Sequence, residues 1–445
     1  MTERTTALSR VGRVSERRGT DPQVDVCVVG AGQAGLAAGF YLQRADRERR
    51  RRGVGELSWV VLDAHDRPGG SWPDTWPSLR LFSPAAYSSL PGWPMPRWSG
   101  EDNPPASHVV AYLRDYEQRY GLDVRRPVRV HEVRRDAGER LRVRTDHGDW
   151  SARAIISATG TQSRPFVPAV PGADDFEGAQ VHTAGYRGPA AYAGQRVLVV
   201  GGANSAAQVA ADLLPVVERL HWAALRPPRY LPDHVDGRVL FETATQAVRD
   251  RAAGRPARGV ASLGDVVAVP PVREARDRGG LRAVPMVERL TRTGARWPDG
   301  REEPLDAVVW ATGFRPALGH LRALGLAAAD GRLLTEAPAG GTMPVQAAGE
   351  PRVRCWGTAT GAGRRRRPWS AWVARRGRPW PRSRPWSTGL PAQERTEGPR
   401  SRSGTSSTSS PRTRSSRSAT IARTVSGSCP PGSATGQSTY FTPGT

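Results

Sequence analysis

The chain has 445 residues, enough for two or three domains with complete cores. Its net charge of +23 would suit nucleic acid or an acidic membrane, but residues 352–445 alone carry 18 Arg against 2 acidic residues. Every basic residue is Arg and none is Lys, the mark of a GC-rich coding sequence, so neither a nucleic-acid nor a membrane partner is expected.

Residues 1–22 are polar and rich in Arg and Thr, without the apolar core of a signal peptide, and read as a disordered leader. No apolar run approaches the ~20 residues of a membrane span, so the expected location is cytoplasmic. Val24–Val29 reads as a buried strand and Gln33–Arg44 as a helix with an Ala/Leu face. The Arg-rich stretch from Asp46 to Gly55 lacks apolar periodicity and reads as a solvated loop. Trp59–Leu62 is the next strand and ends in Asp63, which completes a βαβ unit. Trp150–Ala158 is a strand that runs into Ala158-Thr-Gly160. A second unit opens with the strand Arg196–Val200 and continues in the helix Ala206–Leu214, followed by the strand Leu220–Leu225. Asp306–Trp310 is a strand running into Ala311-Thr-Gly313. Two such strand endings around an inner unit predict a chain that leaves one domain, builds another and returns. The fold class expected is α/β, with two Rossmann-like dinucleotide-binding domains.

The two units carry glycine-rich loops at their first turns. In Gly30-Ala-Gly-Gln-Ala-Gly35, Gly30 permits the tight turn, Gly32 lets a pyrophosphate approach the backbone, and Gly35 lets helix and strand pack closely. Gln33 opens the helix whose N-terminus faces the phosphates. Asp63, at the end of the second strand, is placed to bond a ribose hydroxyl. In the second loop, Gly201-Gly-Ala-Asn-Ser-Ala206, Ala203 replaces the middle glycine, and its methyl would crowd a pyrophosphate. Arg226, with Arg229 as the alternative, is placed to pair with a 2′-phosphate, which favours NADPH over NADH. Cys27, Cys355 and Cys429 form no CxxC and no metal spacing, so no dithiol centre and no metal are expected. Cys27 reads as a small core residue.

Between the loops, Phe176-Glu-Gly-Ala-Gln-Val-His-Thr-Ala-Gly-Tyr186 forms an F-x-G-x-x-x-H-x-x-x-Y string. Composition alone would produce it in roughly 3 of ten thousand such chains. The string and its two flanking loops resemble the NADPH-dependent flavin monooxygenases. The wording of Trp76–Pro96 resembles the monooxygenase-like proteins associated with bacterial arsenic resistance, and that likeness spans roughly residues 22–350. The resemblance implies FAD on residues 22–169 and 311–350 and NADPH on 170–310. It further implies that Gly70 and Trp72 of Gly69-Gly-Ser-Trp72 lie along the FAD. Val130, Ala158, Gly160 and Gly313 would add contacts to FAD, and Gly201, Asn204 and Ser205 to NADPH. Ser83 falls near a position that relatives fill with Asn beside the flavin C4a. His182 is by type the residue suited to acid–base work, but in this family its segment links the domains and couples NADPH binding to their movement. Tyr186 stands where ketone-inserting relatives carry Trp, which favours heteroatom oxygenation. The implied activity is oxygenation of a small substrate with O2 through an oxygen adduct at flavin C4a. A pyridine-nucleotide reductase and an inactive gene product are the alternatives.

From about 351 the composition breaks into Arg, Pro, Ser, Thr and Gly, with five of the 14 Trp scattered among Arg. Residues 355–361 require codons TGY TGG GGN ACN GCN ACN GGN. Joining each codon's last base to the next two gives YTG GGG NAC NGC NAC NGG, which admits Leu-Gly-Tyr-Gly-Asp-Trp, the G-x-G-D-W segment with which the family normally ends. A frameshift between about Glu350 and Cys355 accounts for the Arg excess, the stray Trp and the lost periodicity together. The rival is a natural basic disordered tail.

Overall fold

The computed structural model describes residues 21–356, apart from 101–102, 137, 234, 236, 254, 257–262, 327–332 and 335–344. The leader, Cys429 and the altered reading beyond Trp356 lie outside the described residues. Apolar β-branched residues dominate the first strand, β1 (Gln23–Val29), which is buried along most of its length. It turns through the first glycine loop into α1 (Gln33–Arg51) and returns in β2 (Trp59–Leu62), parallel to β1. Next come α2 (Ala106–Tyr120), β3 (Val124–Arg125), and a meander of β4 (Val130–Arg135), β5 (Leu141–Thr145) and β6 (Trp150–Ser157). The last of these lies parallel to β1 on its other side.

The chain then builds β7 (Ala179–His182), β8 (Arg196–Val200), α3 (Asn204–Leu213), β9 (Arg219–Ala224), α4 (Gly237–Ala252), α5 (Pro270–Asp277) and β10 (Ala283–Pro285). Three short antiparallel strands follow, β11 (Arg289–Thr291), β12 (Gly294–Arg296) and β13 (Glu302–Pro304). The unit closes with β14 (Ala307–Trp310), inserted between β8 and β7. Finally β15 (Val345–Ala347) and β16 (Glu350–Cys355) rejoin the first sheet. The sheet orders are β15-β16-β6-β1-β2-β3 and β10-β9-β8-β14-β7. The chain does leave one α/β unit, build a second and return. No described helix is long and apolar enough to cross a membrane.

Two boundaries differ from expectation. The helix α1 runs to Arg51, through the stretch read as loop. Asp46 and Glu48 pair with Arg50 and Arg52 four residues on, at 3.0 and 2.7 Å, and three Arg close the last turn against the helix dipole. Arg is also a strong helix former, so an apolar period is not needed there. The first sheet extends past position 350: β16 pairs Val353 with Ile155 and Cys355 with Ser157, and Cys355 is fully buried.

Candidate functional site

The two glycine loops are built alike. Gly30 has φ +100°, and a Cβ there would lie 2.7 Å from the Ala158 carbonyl oxygen. A Cβ at Gly201 would run into the carbonyl oxygen of Ala311. Each loop's first glycine thus packs on the Ala of an Ala-Thr-Gly strand ending, which explains why that tripeptide occurs twice. Gly35 packs its Cα against the Gly30 carbonyl so closely that no side chain fits. Each strand ending is stitched to the chain that follows the other one. Thr159 Oγ1 donates to Ala317 O at 2.8 Å, Ala317 N donates to Gly160 O at 3.0 Å, and Phe166 N donates to Gly313 O at 2.9 Å.

Helices α1 and α3 both start without a capping side chain and without an acidic residue in the first turn, at Gly32 and Ala203. Their leading N–H groups therefore face outward with the helix dipole behind them, the arrangement that receives a phosphate. Gly32 supplies a sharper observation. Its φ of −74° is open to any residue, and a Cβ there would meet nothing closer than the Gly70 Cα at 4.0 Å. Neither backbone nor packing requires glycine there, so the space is kept for a group seated in the loop. Gly70 closes that cradle from the other side: a Cβ on it would come within 2.7 Å of the Gly32 Cα. Trp72, half-buried, donates its indole N–H to Gln33 Oε1 at 3.3 Å, which holds the ring beside the start of α1. Ala203 adopts an extended conformation, φ −133°, at the start of α3.

Asp63 is buried and turned inward. Its Oδ2 accepts from Arg126 Nε at 3.0 Å and its Oδ1 lies 3.4 Å from His65 Nδ1, while Arg126 also grips Glu117 through both terminal nitrogens at 2.7 and 2.8 Å. Asp63 therefore anchors the end of β2 rather than presenting a free carboxylate to a ribose. Burial works to raise its pKa, but the His65 hydrogen bond and the Arg126 charge outweigh it and hold the carboxyl below its ordinary value. A depressed carboxylate stabilises the fold above its unfolded pKa and loses that contribution as pH falls through the folded value. Arg126→Met should cost about 3–5 kcal/mol at neutral pH, because it strands a buried charge. The penalty should shrink as pH falls and Asp63 protonates, because a neutral carboxyl no longer needs the guanidinium. Denaturant melts across pH would show this, and a small, pH-independent loss would contradict it.

His182 is half-buried with both ring nitrogens in use. Nδ1 accepts the Ala184 backbone N–H at 3.1 Å, which puts the proton on Nε2, and Nε2 donates to Gly313 O at 3.0 Å. Burial holds its pKa below the ordinary value, and the ring stands edge-on to Phe314. This neutral, spent imidazole ties the end of β7 to the loop after β14. Ser83 Oγ is engaged with Ser88 Oγ at 3.0 Å within its own loop. Tyr186 is fully buried, and its hydroxyl donates to Asp212 Oδ2 at 2.8 Å. The same oxygen accepts from Ser78 at 2.9 Å, so the Trp76–Leu79 segment is tied to α3. Asn204 uses its side chain to accept the Val267 N–H at 2.7 Å, while half-exposed Ser205 follows it at the helix start. Arg226 and Arg229 both reach Asp265, at 2.6 and 3.0 Å. Val130 sits in β4 opposite Thr145 and packs into the core under the first sheet.

The residues missed by sequence reasoning are Arg126, Glu117, Asp212, Ser78 and Asp265. Their partners lie nine to 134 positions away along the chain, so no local signal marks the pairing.

A family model described as pyridine nucleotide-disulphide oxidoreductase matches residues 27–224. The structure of a flavin-containing monooxygenase from Stenotrophomonas maltophilia is 44% identical, with a TM-score of 0.65, over 76% of this chain and 92% of that one. Indole-3-pyruvate monooxygenase YUCCA1 from Oryza sativa subsp. japonica is 30% identical over 319 residues, 65% of this chain and 76% of the relative. An uncharacterized CzcO-like oxidoreductase from Geobacillus kaustophilus is 27% identical over 65% of this chain and 80% of its own length.

Proposed function

The chain belongs to the flavin-dependent monooxygenase family, whose cofactors are FAD and NADPH; from that premise we propose that it oxygenates a soft heteroatom (sulfur, nitrogen or trivalent arsenic) of a small substrate. The first loop, the start of α1, Gly70 and Trp72 hold FAD, and the room that a Cβ at Gly32 would have supports that placement. The second loop, the start of α3 and Arg226 hold NADPH. Bound FAD supplies the redox chemistry, taking a hydride from NADPH and activating dioxygen. The protein's own part is binding, orientation and exclusion of water.

The observation that carries the heteroatom assignment is the state of His182. With both nitrogens committed to backbone groups, it cannot abstract a substrate proton. A thioether, an amine or arsenite attacks with its own lone pair and asks no proton transfer of His182. Tyr186, buried on Asp212, supports the same reading. The test is to supply the purified chain with FAD, NADPH and 18O2 and offer a thioether, a tertiary amine, arsenite and a cyclic ketone. Products carrying one labelled oxygen on sulfur, nitrogen or arsenic are expected, and a lactone as the sole product would refute the assignment.

A thiol relay of the reductase kind finds no support among the described residues. Cys27 and Cys355 are buried in β1 and β16, and burial pushes both thiols up to about 12.

Arg226→Ala should raise the KM for NADPH about tenfold while leaving that for NADH nearly unchanged, since only NADPH offers a 2′-phosphate. Equal changes for both coenzymes would remove Arg226 from the coenzyme site.

A further inference from the structure

The start of α3 and two arginines that follow β9 converge on the short segment Asp265–Val267. The Val267 N–H donates to Asn204 Oδ1 at the start of α3. Asp265 Oδ1 accepts from Arg226 Nη2 at 2.6 Å, and its Oδ2 accepts from Arg229 Nε at 3.0 Å and from the Arg229 backbone N–H at 3.3 Å. The segment is itself pinned. The backbone N–H groups of Asp265 and Val266 both donate to Arg229 O, at 2.7 and 3.1 Å, and Leu231 N donates to Val266 O at 2.9 Å. The loop faces this corner: a Cβ on Gly202 would lie 3.5 Å from the Ala224 Cβ and 3.9 Å from the Arg226 carbonyl oxygen.

Exposure separates the three charges. The Arg226 and Arg229 side chains are 60% and 48% exposed, while Asp265 behind them is only 12% exposed. Two outward guanidinium groups therefore share the Asp265 carboxylate, which offsets part of their charge. Asp265 also occupies donors that a phosphate would otherwise claim from both guanidinium forks. We propose that Asp265 is a specificity-determining residue for the coenzyme. It offsets one of the two guanidinium charges, so the corner favours a 2′-phosphate only weakly and accepts NADH and NADPH within about an order of magnitude of each other. This inference rests on the reading that Arg226 marks the adenosine end of the coenzyme site.

The test uses the full chain and two fragments that cannot turn over, adenosine 2′,5′-bisphosphate and 5′-AMP, titrated calorimetrically. The wild type should bind the bisphosphate at most about tenfold more tightly than 5′-AMP, and Asp265→Asn should widen that ratio about tenfold further. A ratio unchanged in Asp265→Asn would mean that the carboxylate only braces the loop. A narrowed ratio would mean that it aims the arginines at the phosphate. Either result overturns the proposal. Should Asp265→Asn fail to fold, Asp265→Ser is the second variant, and a wild-type ratio of a hundred or more overturns the proposal without any variant. Arg226→Ala separates the two levels of inference. A ratio falling toward one upholds the site whatever Asp265 does, whereas an unchanged ratio removes the site and the proposal with it.

Discussion

Gly32→Val should yield a folded protein that no longer retains FAD. The backbone at this position tolerates the change, because φ is −74° and the new Cβ would meet no atom closer than 4.0 Å. Loss of glycine at the start of α1 should cost only about 1 kcal/mol. The branched side chain would instead fill the gap between the first loop and Gly70, where the proposed placement seats the pyrophosphate at the helix start. The expected result is near-complete loss of the visible flavin spectrum with little change in the melting temperature of flavin-free protein. Gly35→Val is the contrasting control. There the side chain would strike the Gly30 carbonyl, so stability and flavin should be lost together. Undiminished flavin in folded Gly32→Val would refute the assignment of the first loop. A collapse of stability equal to that of Gly35→Val would show that Gly32 is needed for packing.

The difference between those two glycines shows what sequence could and could not reveal. Spacing alone identifies both loops, since a turn from strand to helix needs small residues at fixed offsets. The two Ala-Thr-Gly endings were visible as a repeat, but their use as the carbonyl platforms under Gly30 and Gly201 needed coordinates. Asp63 illustrates the converse. Its place at the end of β2 is correct, yet the fate of its carboxylate depends on Arg126, 63 positions away. In a chain with so many arginines, no sequence pattern singles out that one. Likewise Arg226 follows closely on β9, and the carboxylate that pairs with it arrives from position 265. The far half of α1 was misread because its stability comes from spaced ion pairs and arginine propensity, which an apolar period does not register.

Inserting a single base between the codons of Arg354 and Cys355 should strengthen flavin binding and couple NADPH oxidation to oxygenation. The argument starts from β16, which is regular to its end and buries Cys355 against β6. With one base added ahead of the Cys codon, the next codons read NTG YTG GGG NAC NGC NAC NGG. These admit Leu-Leu-Gly-Tyr-Gly-Asp-Trp from position 355, so an apolar residue would occupy the same buried slot. The strand would then run directly into the G-x-G-D-W segment with which the family normally ends. The resemblance implies that this segment leads into a helix whose N-terminus faces the flavin ring, where a helix dipole would stabilise negative charge on reduced flavin. The expected outcome is more FAD retained after gel filtration of the restored chain and less hydrogen peroxide released per NADPH consumed. Deleting residues 357–445 from the present chain should alter neither quantity. If that deletion abolished a coupled activity, or if the restored chain bound flavin no better than the present one, the shifted-frame reading would fall. The basic C-terminal sequence would then have to be treated as a functional part of the protein.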